Sequence, residues 1–103
     1  MTESEYAQLA DAFFHRLDQA LEATDIDYEL ATGGILEMDF DDGSRIIVNR
    51  QTPMQEIWVA AKSGGFHYRW QDGQWRDTRS GDELFAALER MVSQQAGEAV
   101  RLA

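Results

Sequence analysis

The chain has no cysteine, a single proline and, in its first 42 residues, a single basic side chain, Arg16. Each scarcity excludes something. Without cysteine there are no disulfides, no thiolate metal sites, no cysteine-held iron–sulfur cluster and no cysteine nucleophile. That composition suits a reducing compartment. No stretch approaches the roughly 18 apolar residues of a membrane-spanning helix. The opening residues Met1-Thr2-Glu3-Ser4-Glu5 carry no basic region and no apolar run behind them, so no secretory leader is expected and the expected location is the cytoplasm. A net charge of −10 argues against nucleic acid and against anionic membranes, since phosphates are bound by Lys and Arg. Also missing are a Gly-rich phosphate loop, a nucleophile elbow and a His-Glu-x-x-His pattern, so the expectation is a protein that is not an enzyme.

What is present is a crowd of carboxylates. Up to residue 42 there are twelve of them against one base, whereas from Gly43 onward seven acids face eight bases. Self-repulsion of this kind opposes folding, and a sequence arranged for stability alone would mix the signs. The first part of the chain is therefore read as presenting a negative field to a cation or to a basic partner surface. The 103 residues are the length of one domain, and 44% hydrophobic residues, including three Trp, three Tyr and five Phe, supply a core.

From Ser4 to about Ala23 the positions Tyr6, Leu9, Ala10, Phe13, Leu17 and Leu21 recur at helical steps and make one buried stripe. Thr2 or Ser4 can cap it. Asp11, His15, Asp18 and Glu22 share another side of that helix. Glu22 lies at the C-terminal end, where the helix dipole disfavours a carboxylate. Asp25 to Leu30 alternates as a half-buried strand, with Ile26, Tyr28 and Leu30 inward and Asp25, Asp27 and Glu29 outward. Ile35 to Phe40 alternates again, with Glu37 and Asp39 outward, and Asp42-Gly43 signals a hairpin. Ser44 to Asn49 reads as a central strand, and Gln51-Thr52-Pro53 breaks it. Gln55 to Ala60 follows, with Glu56 expected on the solvent side and Trp58 beside it. Phe66 to Trp70 and Gln74 to Asp77 pair through Asp72-Gly73. Trp70 and Trp75 are assigned to the core or the sheet edge. Ser80 is read as the cap of a second helix, with Glu83 completing a capping box. Leu84, Phe85, Leu88, Met91 and Val92 form its stripe, Gly97 its stop, and Glu98 to Ala103 a tail against the helices. The resulting fold class is α+β: a two-layer sandwich in which an antiparallel six-stranded sheet carries both terminal helices on one face.

Several segments in this order resemble the bacterial branch of the frataxin family. They are Ser4-Glu5-Tyr6 with Leu9-Ala10-Asp11, then Asp25-Ile26-Asp27-Tyr28-Glu29. Gly43 to Gln51 follows and runs on through Pro53 to Ile57-Trp58. Gly64-Gly65-Phe66-His67-Tyr68, Arg79-Ser80-Gly81 and Gln94 to Glu98 complete the set. The resemblance implies iron binding on an acidic ridge and a regulatory role in iron–sulfur cluster assembly, through contact with a cysteine desulfurase and its scaffold protein. It implies a monomer, with iron-dependent oligomers as a further option. Carried onto this chain, the ridge is Asp11, Asp18, Glu22, Asp25 and Asp27, with Glu29 beside it, and the partner-binding sheet face is Asn49, Gln51 and Trp58. Gln19 and Ala23 stand where bacterial relatives often carry acids, which implies fewer or weaker metal sites.

On chemistry alone, such carboxylates are hard ligands suited to iron, manganese, calcium or magnesium, and a helix stripe beside a strand edge offers one or two per ion. His15 is either a nitrogen ligand or a paired surface histidine. A tryptophan on a solvated sheet face either docks a partner or is covered by neighbouring stems. Three readings stay open: an iron-binding regulator, a ferroxidase or iron store, and an acidic interaction module without a metal.

Overall fold

The first helix starts two residues into the chain because its cap is built from local side chains. Thr2 Oγ1 accepts the Glu5 N–H, and the Glu5 carboxylate accepts the Thr2 N–H, both at 3.0 Å. In the computed structural model, which describes residues 1–102, helix α1 runs Glu3–Glu22 and helix α2 Leu84–Ala96. Between them lie β1 (Asp27–Ala31), β2 (Ile35–Asp39), β3 (Arg45–Gln51), a 3₁₀ turn (Thr52–Met54), β4 (Glu56–Ala61), β5 (Gly64–Gln71) and β6 (Gln74–Asp77). The six strands form one antiparallel sheet in sequence order, as short turns require.

Both helices sit on one face, as the periodicity predicts. Leu36, Met38, Ile46, Val48, Ile57, Val59, Tyr68 and Trp75 line the inner sheet face and are buried, together with Tyr6, Phe13, Phe14, Leu17 and Leu21 of α1 and Leu84, Leu88, Met91 and Val92 of α2. The Tyr6 hydroxyl donates to the Glu56 carbonyl oxygen at 2.8 Å and ties the start of α1 to β4.

Four details depart from the sequence expectation. Strand β1 starts at Asp27 rather than Asp25, because Thr24 closes α1: its Oγ1 donates to the Leu21 carbonyl and accepts the Ile26 N–H. Leu30, expected to face inward, remains 46% exposed on this edge strand. The Ser80–Glu83 capping box does not form. The buried Asp77 carboxylate accepts the Arg79 and Ser80 N–H groups, and Glu83 itself caps α2 by accepting from Phe85 and Ala86. Glu56 is buried rather than solvent-facing. The stop at Gly97 (φ 75°) matches expectation. The tail through Leu102 also lies back on α2, Ala103 being outside the described residues: Ser93 bonds Val100 in both directions, the Glu89 carboxylate accepts the Leu102 N–H, and Leu102 is buried.

Leu17 is fully buried at the centre of the α1 seam. Leu17→Ala is expected to cost about 3 kcal/mol, read as a lower urea midpoint at unchanged slope.

Candidate functional site

The C-terminal half of α1 brings Asp18 and Glu22 next to β1. No base occupies the last turn of α1, so Glu22 meets the negative end of the helix dipole without relief. Asp18 has one carboxylate oxygen engaged by a neighbour. The Tyr28 hydroxyl donates to its Oδ1 at 2.7 Å and approaches its backbone oxygen at 3.1 Å, joining helix to strand. Burial pushes the Tyr28 phenol up to about 12, and the bond to Asp18 and the charges of Asp18 and Glu22 add to the effect. Asp25, in the link after α1, and Asp27, at the start of β1, are exposed.

Asp11 lies further back on α1 and has a partner. Arg50 reaches it from the inner side of β3, with its Nη2 2.7 Å from Asp11 Oδ1 and its guanidinium 5.4 Å from the centre of the Phe14 ring. The Asp11 side chain is 70% exposed and that of Arg50 only 20%. Asp11 therefore anchors helix to sheet and contributes less free charge than the ridge assignment supposes. His15 is exposed on the same helix.

Strand register adds acids that the chain order does not reveal. Asp27 stands opposite Asp39, and Glu29 opposite Glu37. Like charges in directly facing positions destabilise a sheet. Arg45 is bound there, its Nε 2.8 Å from Asp39 Oδ1, with both side chains about half exposed. Beside them opens a cavity of about 320 Å³, lined in part by Asp25, Asp27, Asp39, Asp41, Glu98 and Arg101. The alternation places Glu37 and Asp39 outward, but only pairing shows that they join Asp27 and Glu29. Among the described residues no three acidic or imidazole groups converge to cage a metal ion. The donors suit hard cations, held through one or two carboxylates with water completing the shell.

The second predicted site lies on the sheet face that the helices leave bare. Asn49, Trp58 and His67 face one another across β3, β4 and β5, and Gln51, Glu56 and Arg69 form the next row. The indole of Trp58 is half-buried and stacks on the His67 ring, with centroids 4.3 Å apart and planes 7° apart. Glu56 lies beneath. Its carboxylate accepts the Trp58 Nε1–H at 2.8 Å and an Arg69 N–H at 2.6 Å, and His67 Nδ1 is 3.8 Å away. Glu56 shares the outward side with Trp58, as the alternation says, but these larger neighbours cover it. Asn49 donates to the Arg50 carbonyl oxygen at 3.3 Å, and Gln51 is partly buried. Trp75 belongs to the core, and Trp70 meets it edge to face at 5.5 Å.

Comparison with known proteins shows a match to the frataxin-like domain over residues 1–98. A curated relative from Paraburkholderia xenovorans, named iron-sulfur cluster assembly protein CyaY, is 54% identical over 101 residues, covering 97% of this chain and 96% of its own. The solved frataxin of Psychromonas ingrahamii superimposes with a TM-score of 0.89 at 34% identity, covering 100% of this chain and 99% of its own. The trimeric frataxin of the yeast Saccharomyces cerevisiae, solved complexed with ferrous iron, matches with a TM-score of 0.69 over 95% of this chain and 88% of its own; at 24% identity that likeness concerns the fold.

The Tyr28–Asp18 junction gives a pH test. A phenol raised from 10.0 to about 12 in the folded state contributes stability that is complete below pH 10 and is lost as the pH rises toward 12. Tyr28→Phe is expected to reduce the loss of stability across that interval, measured by urea midpoints as a function of pH.

Proposed function

From the premise that this chain belongs to the frataxin-like family, we propose that it acts in iron–sulfur cluster assembly as an iron-binding regulator. It docks on the cysteine desulfurase and its scaffold protein through the acidic corner of α1, β1 and β2, with the Trp58 face touching the same complex. The observation that carries this reading is the concentration of exposed carboxylates at Glu22, Asp25, Asp27 and Glu29, where α1 and β1 are joined by the Tyr28–Asp18 bond, with Glu37 of β2 facing Glu29. Such a field steers a basic surface into contact and weakens with salt. Its relatives' names supply the pathway, and the hard carboxylate donors suit iron as the cation. Iron is cargo here, held hydrated and weakly. Dissociation constants of about 10⁻⁴–10⁻³ M are expected, by analogy with weak calcium modules.

The protein is proposed to work as a non-catalytic cytoplasmic monomer. A ferroxidase or iron-storage role is the alternative reading of the same carboxylates. Catalytic oxygen consumption with ferrous iron at low protein concentration would establish that alternative.

The docking test uses Glu22→Lys, Asp25→Lys and Asp27→Lys together and leaves Asp18 intact, because Asp18 holds Tyr28. Affinity for the desulfurase–scaffold complex should fall by at least about 100-fold, as loss of several steering charges allows, while circular dichroism stays native. Unchanged affinity would rule this docking mode out. Ferrous titration followed by NMR should broaden resonances of Glu22, Asp25 and Asp27 before that of Asp11, which Arg50 holds. If none broadens, the protein is an acidic interaction module without a metal.

A further inference from the structure

Glu56 is a buried charged side chain that the docking scheme leaves unused. Its side chain is 4% exposed, yet it sits on the bare sheet face rather than in the seam. Charged groups are seldom buried this far unless paired, and removing a partner from a buried charge is costly. Both its carboxylate oxygens are engaged, Oε1 by the Trp58 indole N–H and Oε2 by Arg69. One carboxylate thus holds two neighbours that both reach the surface: the indole stacked on His67, and a guanidinium whose side chain is 57% exposed.

From this geometry we infer that Glu56 is the positioning residue of the sheet face, and that the pair it presets reads a partner surface with an apolar centre and a carboxylate beside it. The inference rests on the proposed docking of this face. The indole N–H is satisfied internally, so Trp58 can be covered by an apolar surface without stranding a donor. Arg69 gives one nitrogen to Glu56 and keeps other donors in its planar fork for a partner's carboxylate. Arg76 stands directly opposite Arg69 on the neighbouring strand. This half of the bare face is therefore basic, while Asp27, Glu29, Glu37 and Asp39 make the β1–β2 half acidic. The partner must carry charge in the reverse order across the same face, which sets orientation as well as affinity. Preset side chains also lose less freedom on binding than mobile ones.

The test combines a partner-independent readout with a binding readout. In the full-length protein, Glu56→Leu should speed water exchange of the Trp58 indole N–H by at least about tenfold, because its acceptor is gone. It should also weaken binding to the desulfurase–scaffold complex by about tenfold, the effect of loosening an interface anchor. Trp58→Ala should weaken binding at least as much, and adding Glu56→Leu to a Trp58→Ala/Arg69→Ala variant, which lacks both preset side chains, should cause little further loss. Glu56→Gln keeps an acceptor for the indole and should retain slow exchange and most of the affinity, which covers the case in which Glu56→Leu does not fold. Unchanged indole exchange in Glu56→Leu, or fast exchange in Glu56→Gln, would overturn the positioning role. A full tenfold loss on the Trp58→Ala/Arg69→Ala background would show that Glu56 acts through general stability instead. Wild-type affinity in Trp58→Ala would defeat the docking of this face, and the exchange measurement would still decide whether Glu56 holds the indole.

Discussion

Two helices can cover only one face of a six-stranded sheet. That constraint organises this molecule. The apolar stripes of α1 and α2 and the inner residues of β2 to β6 close one dry seam, and what cannot enter it goes to the rim or to the bare face. Glu56 sits at the crossing point. Its carbonyl receives the Tyr6 hydroxyl from the helix side, while its carboxylate receives Trp58 and Arg69 on the other. A single residue therefore ties the seam to the surface that is free to meet a partner.

Electrostatics divides the remaining surface. The exposed Arg45–Asp39 pair stabilises little, since both groups stay hydrated. Arg50 is better shielded and spans from β3 to Asp11, so it works as a strut between layers. Among the described residues no ion pair of this kind reaches Glu22, Asp25, Asp27 or Glu29, and the facing acids of β1 and β2 repel one another. The apolar seam outweighs that repulsion, which leaves the acidic corner available to cations and basic surfaces.

Legibility in the sequence followed the range of the interactions. The 3.6-residue stripe of α1, the alternation of the strands, the Asp-Gly hairpins and the Gly97 stop all depend on neighbours a few positions apart, and each reads correctly. The capping assignment at Ser80 failed although it is local, because a buried side chain, Asp77, took the competing backbone N–H groups. The partners of Asp11 and Asp18 were not legible, because Arg50 and Tyr28 lie 39 and 10 positions away.

The one-dimensional pattern determined by itself the fold class, the inward and outward sets of β2 to β6, and the excess of negative charge near the start of the chain. Only the tertiary structure decided which acids are free, that Glu37 and Asp39 join Asp27 and Glu29, and that Glu56 lies sealed under Trp58. Periodicity says which side a residue takes. Cross-strand register and the reach of long side chains say what stands there with it, and those depend on residues that folding alone brings together.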